Sequence, residues 1–123
     1  MKEIIEKLKK RSEKFLKHAF EDFKEKDFDL CMFNTEQSIQ LMLKAKILEF
    51  GVQFPKVNDI FELIETLEKF GVDLKNIKEK YKETIKNLNI AYIGSRYLPI
   101  SFSEEDAEKA LGFAKELKEI LWK

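Results

Sequence analysis

The chain has 123 residues, of which 44% are hydrophobic and 37% charged. That length gives one domain, residues 1–123, large enough to bury a core without metal or disulfide help. Its 23 basic and 23 acidic side chains cancel to a formal net charge of +0. With no net positive field there is no strong nucleic-acid signal; only a local basic patch stays open. The cations are nearly all Lys, with Arg11 and Arg96 the only arginines. Lys and Glu enrichment with few Gln and Cys is a hyperthermophile composition. A single cysteine, Cys31, excludes an internal disulfide and a cysteine-cluster metal site, and its apolar neighbours predict an inert buried thiol. The charged N-terminal stretch has no signal-peptide core and no later run is long enough to span a bilayer, so a cytoplasmic protein is expected.

The first predicted helix covers about residues 2–26, with Ile4, Ile5, Leu8, Phe15, Leu16, Ala19, Phe20 and Phe23 at spacings of three and four. Asp27 or Asp29 is placed to cap the next helix. That second helix runs from about Phe28 to Phe50 and ends at Gly51, a natural residue for the position after a helix. It is apolar on almost every side, as a central helix should be. Pro55 then breaks the chain.

A third helix is expected over Asn58–Phe70, with Asn58 as N-cap and Gly71 as its stop. Asp73 is a candidate cap for a fourth, from Leu74 to Ile93, showing Ile77, Tyr81, Ile85, Leu88, Ala91 and Tyr92 on one face and ending at Gly94. A short irregular stretch, Ser95–Ile100, follows. Ser103 and Asp106 form a capping-box pattern. The fifth helix carries the stripe Ala107, Ala110, Leu111, Ala114, Leu117 and Leu121. No segment alternates with period two long enough for a sheet. The fold class is therefore all-α, an antiparallel up-and-down bundle of about five helices with short connections.

Glycine-rich phosphate loops, His-Glu-x-x-His and Cys-His pairs are all missing from the sequence. The lone His18 sits on a charged helix face without a second metal ligand nearby, so no metal and no cofactor are expected. The second helix carries an unusual stripe: Phe33, Gln37, Gln40, Lys44 and Ile47, apolar at its ends and polar in the middle. Either this band faces solvent, or it lines a groove in which two amides and an ammonium hold an anionic or base-like ligand. Arg96 is the second singular residue. A lone arginine among lysines points to a planar bidentate donor, or to a loop tied onto helix C-terminal carbonyls.

These residues resemble HEPN domains. The second-helix pattern of that family, Phe-x-x-x-Gln-x-x-Glu-x-x-x-Lys-Ala, stands here as Phe33, Gln37, Gln40, Lys44 and Ala45, with Gln40 at the Glu position, followed by Gly51 and Pro55. Where the family opens its third helix with Thr-His-Asp-Leu, this chain has Val57-Asn58-Asp59-Ile60. The family's Ala-Arg-Tyr-Pro is similar to Ser95-Arg96-Tyr97-Leu98-Pro99, with one residue inserted. The resemblance spans about Ser12 to Leu121. It implies a helical bundle that dimerises through long helices. It also implies, for many prokaryotic members, a minimal nucleotidyltransferase partner in a toxin–antitoxin module.

Some members of the family are metal-independent ribonucleases built on Arg-x(4–6)-His, with His as acid or base and Arg on the phosphate. Here no histidine follows Arg96, and the Thr-His position is Val57-Asn58, whose amide cannot shuttle a proton near neutrality. Arg11 has His18 seven positions later, on a different helix, and is set outside the motif. The reading that results is a non-catalytic binding module. It is expected to be a homodimer that holds a nucleotide or a nucleotidyltransferase partner, with Arg96, Lys44, Gln37, Gln40 and Asn58 as the ligand-binding candidates. The alternatives are a ribonuclease toxin with a divergent active site and a purely structural helical dimer.

Overall fold

The computed structural model describes residues 1–97 and 99–123, with the side chains of Ser95 and Arg96 outside the described set. Six helices and no strands occur among the described residues: α1 (Lys2–Lys24), α2 (Phe28–Glu49), α3 (Ile60–Lys69), α4 (Lys75–Lys80), α5 (Lys82–Tyr97) and α6 (Glu104–Leu121). The all-α bundle expected from the periodicity is the fold observed.

α1 and α2 form the principal antiparallel pair, and α2 also packs on α3, α5 and α6. That explains why α2 is apolar all round. It buries Cys31, Met32, Ile39, Met42, Leu43, Ala45, Ile47 and Leu48, and also the polar Thr35, Glu36, Ser38 and Gln40. The turn between the two helices places Lys26 at φ 61°, with its N–H on the Phe23 carbonyl and the Asp27 N–H on the Asp22 carbonyl. Asp27, one of the two candidates, caps α2 by accepting from the Leu30 N–H at 3.1 Å. Halfway along the pair, Ser12 and Ser38 bond reciprocally: each hydroxyl donates to the other's carbonyl, at 2.9 and 2.7 Å. Two such small residues let the helix backbones approach.

α3 begins one residue later than expected. Its N-cap is Asp59, which accepts from the Phe61 N–H at 2.8 Å, and Asn58 lies just outside. Gly51 and Gly71 adopt φ 79° and 89° at the ends of α2 and α3, the left-handed position that the sequence assigns them.

The expected fourth helix is two. The chain breaks at Tyr81, whose hydroxyl donates to Glu116 on α6 while Lys80 pairs with the same carboxylate at 3.0 Å. The core face nevertheless continues through the break, with Ile77, Ile85, Leu88 and Ala91 buried. Gly94 does not end this helix, which runs on to Tyr97. A Cβ at Gly94 would lie 2.7 Å from Ile100 Cδ1. Glycine serves here as a close-packing position for the chain after α5 rather than as a terminator.

The α6 stripe is buried throughout, and Ser103 and Asp106 form the full capping box, at 3.1 and 3.0 Å. Trp122 closes the far end: its indole N–H donates to Glu49 at 2.8 Å, and Lys9 sits 4.7 Å from its ring. No helix among the described residues is long and apolar enough to cross a membrane.

Candidate functional site

The polar stripe of α2 lies on a seam between α2, the segment before α3, and α5. At its centre is Glu36, fully buried. Gln37 and Gln40, one and four residues on, both donate to the Glu36 carboxylate, at 2.8 and 2.5 Å. Gln40, 5% exposed, also donates to the Asn58 carbonyl at 3.2 Å. The Asn58 amide donates in turn to the Tyr92 hydroxyl on α5 at 2.9 Å. Next to it, Asn89 accepts from the Ile60 N–H at 3.1 Å and donates to Asp59 at 3.2 Å.

Three of the five candidates, Gln37, Gln40 and Asn58, thus meet in one network, which connects α2 through the pre-α3 segment to α5. Neither of the two expectations for the stripe describes this arrangement fully, because the amides turn to a buried carboxylate and a carbonyl. Sequence reasoning singled out neither Asn89 nor Tyr92 for this seam. Their signal was the recurrence of polar side chains along α5 beside its apolar face.

Lys44 stands one turn beyond Gln40. Its ammonium lies 5.2 Å from the Phe54 ring centre and makes no hydrogen bond or ion pair among the described residues. Burial pushes its pKa below the usual lysine value, against a smaller opposing pull from Glu36. A partly desolvated ammonium of this kind gains from an anion placed beside it. Arg96 is on α5, one helical turn after Tyr92; its side chain lies outside the described residues.

Two other expectations resolve clearly. Cys31 is buried, and desolvation raises its thiol to about 11, so it is chemically inert in the folded protein. His18 is exposed on α1, sharing a surface depression with Arg11, Lys14 and Phe15. Contrary to the expectation from spacing, six residues separate Arg11 from His18, so the interval falls inside Arg-x(4–6)-His. The pair sits two helical turns apart on one outward face, well away in sequence from Arg96.

A buried polar seam on the central helix of a six-helix bundle defines an all-α helical domain, and no group of metal-ligating side chains occurs among the described residues. A family model, the HEPN domain, matches residues 5–123. The chain belongs to the HEPN domain family. No curated protein and no solved structure matches it.

Proposed function

We propose that the chain is a non-catalytic HEPN binding module, one domain over residues 1–123, that works as a cytoplasmic homodimer. The observation that carries this reading is on α5. Ile90, Ile93 and Tyr97 are 45%, 59% and 77% exposed and follow i, i+3, i+7, so one face of the helix presents a continuous apolar stripe to solvent. Stripes of that kind mark interaction surfaces, and a twofold axis across one helix face buries the same stripe from both copies. Light scattering at micromolar concentration should give twice the chain mass of 14.6 kDa; a monomer would remove the proposal.

The ligand we assign to the module is a nucleotide, held by its phosphate near Lys44 and Arg96 with Gln37, Gln40 and Asn58 alongside. A minimal nucleotidyltransferase in a toxin–antitoxin pair is the partner class. The partly desolvated Lys44 ammonium, with no ion pair among the described residues, supports an anionic ligand. The amides' engagement with Glu36 and the Asn58 carbonyl supports a positioning role for them. A thermal-shift series with mononucleotides tests this: stabilisation lost in Arg96→Ala and Lys44→Met is expected. Absence of any shift at millimolar nucleotide would remove the ligand and leave the protein-binding dimer.

The ribonuclease alternative draws on the Arg11–His18 interval. Metal-free cleavage of RNA abolished by His18→Ala would establish it in place of the non-catalytic reading.

A further inference from the structure

α6 runs antiparallel to α1. Lys115 lies over the Phe20 ring at 5.5 Å, Lys118 faces Glu13 at 3.9 Å, and Lys9 sits 4.7 Å from the Trp122 ring. On α1, Leu16 and Phe20 are one turn apart; on α6, Lys115, Lys118, Glu119 and Trp122 follow i, i+3, i+4, i+7. Together these six residues line a cleft of about 410 Å³. Leu16 belongs to the buried core and makes the floor, while Phe20 and Trp122 pack against that core and bound the two ends. From Lys115, over the Phe20 ring, to Trp122 is seven residues of helix, so the rings stand roughly 10 Å apart along the axis. The rim is charged. Lys115 has no ion pair among the described residues, and the Lys118–Glu13 contact is the longest of those they form. Glu119 is the acidic residue of the lining.

We infer that this cleft is a binding site for a small aromatic carboxylate. Its volume falls in the range of small-molecule sites, which combine apolar and aromatic walls with a few polar groups that fix orientation. A flat apolar body laid over Leu16 meets an aromatic ring at each end, in the stacked or edge-on arrangements that aromatic pairs favour. Its carboxylate then accepts charge-assisted hydrogen bonds from the Lys115 and Lys118 ammonium groups, both of which reach the rim on flexible stems. Glu119 beside them disfavours a doubly charged head such as a phosphate, which sets this site apart from the nucleotide reading at Lys44. A protein segment would need an apolar face that continues past the two rings, and the cleft is bounded by them. The site shares no residue with the Glu36 seam or with the α5 stripe, so the inference stands whether or not a nucleotide binds or two copies join there.

Titration of the full chain with β-naphthoate, followed by calorimetry and by proton–nitrogen NMR correlation spectra, tests it. Trp122 is the only tryptophan, so one indole N–H signal reports on the cleft directly. Saturable binding below millimolar concentration, with a shift of that signal, is expected. The double variant Lys115→Gln, Lys118→Gln should weaken binding by roughly tenfold or more, the loss that follows from removing charged hydrogen-bond donors. Both side chains are exposed, so its melting temperature should match the parent. Neutral β-naphthamide should bind the parent about as weakly as β-naphthoate binds the double variant, and Lys86→Gln with Lys109→Gln should leave β-naphthoate binding unchanged. No binding at millimolar β-naphthoate, equal affinity for the amide, or parental affinity in the double variant would overturn the inference. So would β-naphthoate that splits a dimer, which would give the cleft to a second copy of the chain instead.

Discussion

At the scale of single residues, two positions carry unusual backbone or charge. Lys26 is the only non-glycine residue at positive φ among those described, in the turn position that glycine fills after α2 and α3. Lys26→Gly removes the left-handed penalty at the cost of a more flexible unfolded chain, and should stabilise the protein by about 0.5–1 kcal/mol in urea denaturation. A loss of stability would mean that the Lys26 side chain contributes something the turn geometry does not show. Lys44 differs in kind. Its lowered pKa means that the folded state binds its proton less readily than the unfolded state. The cost of keeping it charged is fully present below the folded pKa and is relieved as pH rises from there towards 10.5. Stability should therefore climb over that alkaline window in the parent and not in Lys44→Met. Near neutrality the same variant should change stability by no more than about 0.5 kcal/mol, since the side chain is only half buried and water screens it. If pH dependence in that window is identical in the two proteins, the desolvation account of Lys44 is wrong.

At the scale of elements, periodicity sufficed where one face of one helix met the core, and failed where tertiary contacts decided. The α6 stripe and its capping box were legible because Ser103 and Asp106 satisfy each other locally. Ser103→Ala should cost about 1 kcal/mol by chemical denaturation, and a neutral result would leave the helix start held by packing alone. The α4–α5 break was not legible, because Glu116, distant in sequence, engages both Lys80 and Tyr81. Gly94 reads as a terminator until the returning Ile100 is seen against it. Asn58 and Asp59 are both good capping residues, and only the Gln40 contact with the Asn58 carbonyl shows why the second takes the role. The α1–α2 contact was hidden in the same way: serine has no helical stripe signature, yet the buried Ser12 and Ser38 bond the two helices to each other. Ser38→Leu should destabilise by about 1–3 kcal/mol through overpacking; tolerance of leucine there would show that the helices are free to separate.

The same division holds for the whole molecule. The family and the all-helical bundle could be read from the order of Phe33, Gln37, Gln40, Lys44, Gly51, Pro55 and Arg96 along the chain. The site could be read only as residue types, because side-chain rotamers determine whether an amide serves a ligand or a buried carboxylate, and in this fold Gln37 and Gln40 serve Glu36. The family resemblance implied a dimer, which needs apolar surface left outside the core. Of the 11 phenylalanines, Phe113 is fully buried. Phe50 and Phe70 are exposed and stack on each other at 5.0 Å. The larger exposed apolar stripe is instead on α5. We therefore propose that Ile90, Ile93 and Tyr97 join two copies, which sedimentation equilibrium of the parent beside Ile93→Asp will decide. The account predicts a dimer for the parent at micromolar concentration and a folded, helical monomer for the variant, with dissociation at least a hundredfold easier. A parent that is monomeric, or a variant that dimerises as tightly as the parent, would contradict it.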